Sequence, residues 1–409
     1  MSINKFFPFA FIYFFINSFA LPFGLTLTAI LSPLLYWWTF TQRKSFILLP
    51  FIICLIPFMI AHAFIGVDVK SYVVSICNFI AVYIFCAAFY TFLKSCRDPE
   101  RIFRWLLIIN FILCLVAIPL YFTAYDKILW MKSALTEGIQ DFTRLKLFTY
   151  EASYYATIFT PLFFFYGLKI ILNQNKMNSW LLLCMIILPY ILSFSIGVMA
   201  SILFSMFSTY VFYFKSLIKK KRVLNILALT VLTMIGLFAT LFLLFPANTF
   251  FVRIENILSG HDTSGNGRTS DAFIIANQML AHKSYTWGIG AGQIKVIGAD
   301  IIRSYYLYDP GTSNIAIPNA TAETWAIFGW VGLCARFLIE ISLFFYTRVW
   351  TSYYRLLLFI FIFIYQFTGS FITNLAEYVI WILAFTNAFP RFDVKHHPKT
   401  ITNLLSPSL

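Results

Sequence analysis

Long apolar runs separated by brief polar punctuation set the pattern of this chain. Runs close to the 17–25 residues that cross a bilayer fall at 6–21, 23–40, 46–65, 72–93, 103–123 and 152–173. More follow at 179–193, 196–214, 223–246, 323–347, 354–373 and 375–390, so about twelve transmembrane helices are predicted. The divisions Leu21–Gly24, Ser193–Ser195 and Thr373–Asn374 leave room only for very tight turns. Two polar stretches interrupt the pattern, 124–151 and 247–322. Within the second, from Asn266 to Lys283, Ala272, Ile275, Ala276, Met279 and Leu280 recur at helical spacing. That spacing predicts an amphipathic helix lying on the membrane, with Thr269 or Ser270 capping its start.

Composition sharpens the class. The 409 residues are 60% hydrophobic and only 11% charged, whereas a soluble domain carries roughly a quarter charged residues. The expectation is an all-α integral membrane protein, a single polytopic domain over residues 1–409. The run at 6–21 has no A-x-A-like cleavage site and reads as a retained helix rather than a signal peptide. Seven cysteines sit in or beside the spans, with no C-x-x-C or Cys/His cluster. Neither disulfides nor a metal site are expected.

The net charge of +14 invites a nucleic-acid reading, but its distribution excludes one. With the N-terminus inside, nineteen of the 30 basic residues fall in cytoplasmic segments, from Lys5 and Arg43 through Lys94–Arg104, Lys169 and Lys215–Arg222 to Arg391–Lys399. That is positive-inside bias. It predicts both termini in the cytoplasm, a cytoplasmic tail at 391–409, and the loops 124–151 and 247–322 outside.

The outer loops hold the candidate chemistry. The first ends in Arg144 and Lys146, followed by Tyr150, Glu151, Tyr154 and Tyr155 as the chain re-enters lipid. Charges at that depth need partners or water; an interfacial anchor belt with an aromatic girdle is the plainer reading. In the second, Arg268 precedes the predicted amphipathic helix, where free N–H groups and the positive dipole end favour an anion such as diphosphate. The glycines of SGNG and GIGAG let backbone approach a ligand, but no P-loop or dinucleotide fingerprint accompanies them. Among the spans, Ser193, Ser195, Gly197, Ala200, Ser201 and Ser205 form a small-residue face suited to close packing. Arg336 and Glu340, four apart, are expected to pair within the membrane, Glu377 is an intramembrane acid of unassigned role, and His62 reads as structural. The tail beyond Pro390 reads as disordered.

Separated stretches, in the expected order, resemble a known family. The run RIENILSGHDTSGNGR, the amphipathic segment after it, WGIGAGQ and PNATAETWAIFGWVG resemble the O-antigen polymerase and O-antigen ligase superfamily. FTYEASYYA resembles the polymerases' F-x-E-P-S-x-F-A stretch, and LSFSIGVMA their LSFSRG stretch. The match covers about 140–340. Ala152 stands where proline is usual, Ile196 where many members have arginine, and Pro318 where ligases tend to have the histidine before Asn319. The missing histidine favours the polymerase branch over the ligase.

The resemblance implies a C-type membrane glycosyltransferase in the bacterial cytoplasmic membrane, needing neither metal nor cofactor. It would join undecaprenyl-diphosphate-linked oligosaccharide repeat units on the periplasmic face, with membrane lipid and a chain-length regulator protein as partners. Such chemistry needs cations on the leaving diphosphate and a base for the attacking hydroxyl. Arg268 is the first choice of cation, then Arg144 and Arg253, with Lys146 assisting; Glu151 is the first choice of base, then Glu323 and Asp271. Trp287, Tyr305, Tyr306 and Tyr308 suit stacking on sugars, and Tyr154 and Asn319 complete the substrate contacts. The competing classes are a ligase and a lipid-linked oligosaccharide flippase. The latter is disfavoured because no internal repeat is evident and the polar residues gather in the loops.

Overall fold

The computed structural model describes residues 6–17, 27–43, 46, 48–133, 142–175, 177–214, 255, 259, 263–307 and 316–394. The predicted span 223–246, Arg253 and Tyr308 lie outside the described residues.

Helix α1 covers Phe6–Phe11 and runs on as a π-turn to Ile16; α2 (Leu27–Arg43), α3 (Leu48–Ile65), α4 (Val69–Ser95) and α5 (Pro99–Leu120) follow. A one-turn helix α6 (Asp126–Leu129) leads into a hairpin of β1 (Trp130–Ser133) and β2 (Phe142–Leu145). Then come α7 (Ala152–Ile171), α8 (Ser179–Ser193) and α9 (Ile196–Phe212). After 262 the chain forms α10 (Thr263–Arg268), α11 (Ser270–Ala281), α12 (Ile297–Tyr306), α13 (Ala320–Tyr346), α14 (Tyr353–Tyr365) and α15 (Leu375–Phe385). Apart from the hairpin, the described residues form a helical protein.

The helix starts follow local chemistry. Asp68, Asp98, Asn178, Asn319 and Asn374 precede α4, α5, α8, α13 and α15, and each side chain accepts from a backbone N–H of the first turn. These are the residue types whose short oxygens satisfy donors that a helix leaves unpaired. Between α8 and α9 the turn is made by Phe194 and the extended Ser195, the φ of +44° at Phe194 breaking the helix within the tight division anticipated there.

Among the described residues five helices, α3, α4, α5, α7 and α13, are long and apolar enough to cross a membrane, and five shorter segments are apolar as well. Burial ranks them. On α7 72% of the apolar window is buried, against 11% on α3, so α7 is the central helix. It packs against α8, α9, α14 and α15. Around it Phe159, Phe164, Phe165, Phe361 and Phe392 are wholly enclosed. Ile53, Ile56, Ile60 and Phe64 of α3 point outward, an apolar exposure suited to lipid rather than water.

Helix α13 is broken. Gly329 has φ 63° and ψ −163°, so the carbonyls of Ala326 and Ile327 lose their helical donors. Residues 285–290 fill the gap. Ile289 N–H and Gly290 N–H donate to Ala326 O (2.9 Å) and Ile327 O (3.0 Å), while Trp330 N–H donates to Tyr285 O (2.9 Å). At Gly288 (φ +82°) an added Cβ would collide with the Ile327 carbonyl. Gly288 and Gly329 bring backbone against the protein's own backbone. The neighbouring Gln293 exchanges side-chain bonds with Asp68 N and O (3.0 and 3.2 Å), docking WGIGAGQ on the α3–α4 turn.

Other expectations need correction. Loop 124–151 is not simply a loop: the hairpin pairs Met131 with Arg144 and buries Trp130, Leu145 and Leu147 with Cys114 and Tyr155. Helix α11 forms where its periodicity predicted, but its apolar face packs on α13 among Ile289, Ile294 and Ile302, so protein covers it. Thr269 precedes α11 without capping it, its hydroxyl donating instead to Gly265 O (2.9 Å). On the small-residue face Ser193, Ser195, Ser201 and Ser205 are buried, whereas Gly197 and Ala200 turn outward. The start of the tail is ordered, with Phe392 1% exposed and Asp393 bridged to Ser352.

Candidate functional site

The turn between β2 and α7 carries two of the predicted residues to one place. Leu147 adopts φ +47°, and the Thr149 hydroxyl bridges the carbonyls of Lys146 (2.7 Å) and Glu151 (2.9 Å). Those contacts present Glu151 at the head of α7, the most enclosed of the five long helices described. Arg268, 117 positions later at the end of α10, reaches it there: its Nη2 lies 3.0 Å from Glu151 Oε1, the two side chains 31% and 24% exposed. The two polar segments read as outer loops therefore meet through a charge-assisted bond.

The electrostatics bind three groups together. Burial pushes the Glu151 carboxyl up, but the Arg268 charge, hydrogen bonds from Ser153 and Arg268, and the Arg144 charge outweigh it and hold its pKa below the usual carboxylate range. Burial pulls the Arg268 guanidinium down, and the Glu151 charge more than reverses it. Both arginines thus act on one carboxylate. Arg144 is 6% exposed. Lys146, half-buried on the same turn, has its ammonium pKa lowered by burial.

Arg268 is held from behind. The Asn319 carboxamide donates to Arg268 O (2.8 Å) and to Phe367 O (2.7 Å), while its oxygen accepts from Ala322 N (2.8 Å) as the cap of α13. Asn319 is fully buried, so it positions the site from within. The loop 366–374 is grasped repeatedly by the start of α13: Ala320 N–H donates to Gly369 O, Thr321 N–H to Gln366 O, and Ile372 N–H to the Glu323 carboxylate at 2.7 Å. Glu323, a predicted base, is engaged in holding this loop.

Below lies a charged network inside the spans. Arg336 pairs with Glu340 at 3.1 Å as expected, and also with Glu377, Gln366 (2.8 Å) and Thr324 (3.1 Å). Gln366 donates to Glu340 (3.0 Å), and Ser370 to Glu377 (2.6 Å). Glu377 now has its partner, and the network grips the same loop 366–374 from the other side. His62 is equally structural, with Nδ1 on Tyr72 Oη (3.1 Å) and Nε2 on Trp287 O (2.8 Å).

The remaining predicted residues stand apart from the pair. Asp271 accepts from Ser270 (3.3 Å) and Tyr306 (3.5 Å). The Trp287 ring lies edge-on to Phe58 of α3, centroids 5.7 Å apart. Tyr154 is 4% exposed and its hydroxyl donates to Asn17 (3.3 Å), while Tyr155 donates to Asn110 (2.9 Å). Neither belongs to an interfacial girdle: both lie on the face of α7 that the bundle encloses. Tyr150, 40% exposed and tilted against the Tyr154 ring with centroids 4.7 Å apart, is an aromatic residue that faces outward beside Glu151. Asn319 as a connector, Gln366 and Thr149 escaped the sequence reading. An asparagine before an apolar run signals a cap, but nothing local announces the long-range partners.

Comparison with models of known protein families gives no match, and comparison with curated proteins gives no relative.

Proposed function

We propose that this protein is a metal-independent membrane glycosyltransferase that joins lipid-diphosphate-linked oligosaccharide repeat units, as the resemblance of its separated stretches to the O-antigen polymerases implies. The observation that carries the reading is the Glu151–Arg268 pair at the head of α7, with the Arg144 charge acting on the same carboxylate. In the resting pair Glu151 is ionised and neutralises Arg268. A diphosphate, with its greater charge and paired oxygens, competes for the guanidinium, whose planar fork suits phosphate. The freed carboxylate then stands beside the diphosphate, where an acceptor hydroxyl arrives. The acceptor oxygen forms a bond to the anomeric carbon as the bond to the diphosphate oxygen breaks; the hydroxyl proton passes to Glu151, and Arg268 and Arg144 stabilise the departing charge.

Deletion of the gene, read on a lipopolysaccharide gel, tests the class. A single repeat unit on the core is the expected result, rescued by the native chain and not by Arg268→Ala inserted at equal level. Persistent long-chain polymer in the Arg268→Ala strain would remove the leaving-group assignment.

A flippase is the second reading, favoured by one observation: a cavity of about 470 Å³ between α3, α4, α13 and α15 has Arg336, Glu340 and Thr324 in a mostly apolar wall. Intramembrane charge beside a cavity is a transport feature. Bare core in the deletion strain marks a flippase or a ligase in place of a polymerase.

A further inference from the structure

At the end of the bundle opposite Glu151, three cations from three elements line one cavity with a single carboxylate, which two of them contact. Glu100, in the first turn of α5, accepts from Lys169 Nζ of α7 (3.1 Å) and from Arg391 Nη1 (2.8 Å) of the turn Pro390–Phe392. The Arg104 charge, one turn along α5, acts on Lys169 and on Tyr166. Lys169 is only 14% exposed, its ammonium 5.0 Å from the centre of the Phe165 ring and 5.9 Å from that of Tyr166. Glu100, Arg104, Tyr166, Lys169 and Arg391 line a cavity of about 280 Å³, completed by Gln174, Asn175 and two apolar side chains. Its charged walls comprise three cations and one anion, a net charge of +2.

A staple between α5, α7 and the tail would need one cation for each carboxylate. Here Glu100 already serves two, and the exposed Arg104 adds a third charge to the cavity wall beside the sheltered Lys169. Such a surplus is stable when an anion shares it. Two arginines and a lysine with carboxamide neighbours match tetrahedral phosphate oxygens, which take several charge-assisted bonds at once. The walls are the ends of apolar helices, the level at which phosphate headgroups lie. We propose that this cavity is a binding site for a phosphate group, carried by an anionic lipid or by a soluble anion, separate from the Glu151–Arg268 site.

The test uses the purified full-length chain in neutral detergent micelles, titrated with phosphatidylglycerol, phosphatidylcholine or inorganic phosphate alone. Bound lipid is counted by native mass spectrometry and the melting temperature followed in parallel. The double substitution Arg104→Gln/Lys169→Gln is expected to weaken phosphatidylglycerol binding about ten-fold. Lys94→Gln/Arg97→Gln, which removes two exposed charges outside the cavity, is expected to leave it unchanged. Glu100→Gln separates the proposal from a staple even if the double variant folds poorly. Removing the competing carboxylate should tighten binding about five-fold, whereas a staple would only loosen. Protection by phosphatidylglycerol but not by free phosphate identifies the source as lipid. Equal protection by free phosphate, lost in the cavity variant, identifies a soluble anion. Equal loss in both double variants, no preference over phosphatidylcholine together with no phosphate effect, or weaker binding by Glu100→Gln overturns the site.

Discussion

Asn319 and Arg268 are joined through a backbone carbonyl: the buried carboxamide donates to Arg268 O at 2.8 Å and holds Phe367 O at 2.7 Å with its other hydrogen. One side chain therefore caps α13 and fixes the arginine's position relative to the loop after α14.

Substitution of Asn319 separates these roles. Asn319→Asp keeps the capping oxygen and loses both donations; Asn319→Ala loses everything. Each stranded buried carbonyl costs about 1–3 kcal/mol and the cap about 1 kcal/mol more. The alanine variant is expected to melt below the aspartate variant in detergent, with both below the native chain. Both should also lose polymer formation, since Arg268 is no longer held.

The charge of Arg268 is not enough if the fork matters. Arg268→Lys is expected to retain insertion and fold but lower polymer formation by about 10²-fold, measured as chain-length distribution at matched protein level. Activity equal to the native chain would show that a point charge suffices there.

Acid should undo the same pair. The folded-state pKa of Glu151 lies below its ordinary value, so its contribution is present above the usual carboxylate range and fades as the pH falls through the depressed value. With both side chains roughly a quarter exposed, the contribution is below about 1 kcal/mol. Melting temperatures of the native chain and Glu151→Gln should converge as the solution is acidified, and differ most near neutral pH.

Breaking the intramembrane network should be far more costly. Arg336→Met leaves Glu340 and Glu377, 5% and 1% exposed, without their cation, a loss of about 3–5 kcal/mol. Adding Glu340→Gln and Glu377→Gln to that variant is expected to recover much of it. Unfolding by denaturant in micelles, native against single and triple variants, measures both.

How much of this was legible in the sequence varies from place to place. The Ala272–Leu280 spacing located α11, and the chemistry of arginine at a polar loop singled out Arg268 and Glu151. Which surface covers α11 was not readable, because an apolar stripe looks alike against lipid or against α13. Gly288 and Gly290 read as ligand glycines because their shared partner, the break at Gly329, lies forty residues on and resembles an ordinary helical glycine. Tyr154 and Tyr155 were misjudged for a related reason: a tyrosine near a helix start suits both a headgroup belt and a buried hydroxyl network, and only the burial of α7 decides. The charge sum beside Glu100 was invisible, since Arg104, Lys169 and Arg391 read separately as orientation signals.

Helix α7 carries a fixed charge at each end, Glu151 and Lys169, eighteen residues apart. At 1.5 Å per residue that is about 27 Å, near the thickness of the hydrocarbon layer. The helix thus behaves as a gauge: a thicker bilayer drags one charge inward, and a thinner one is met by tilt. Membrane thickness is therefore expected to be felt at both charged ends together.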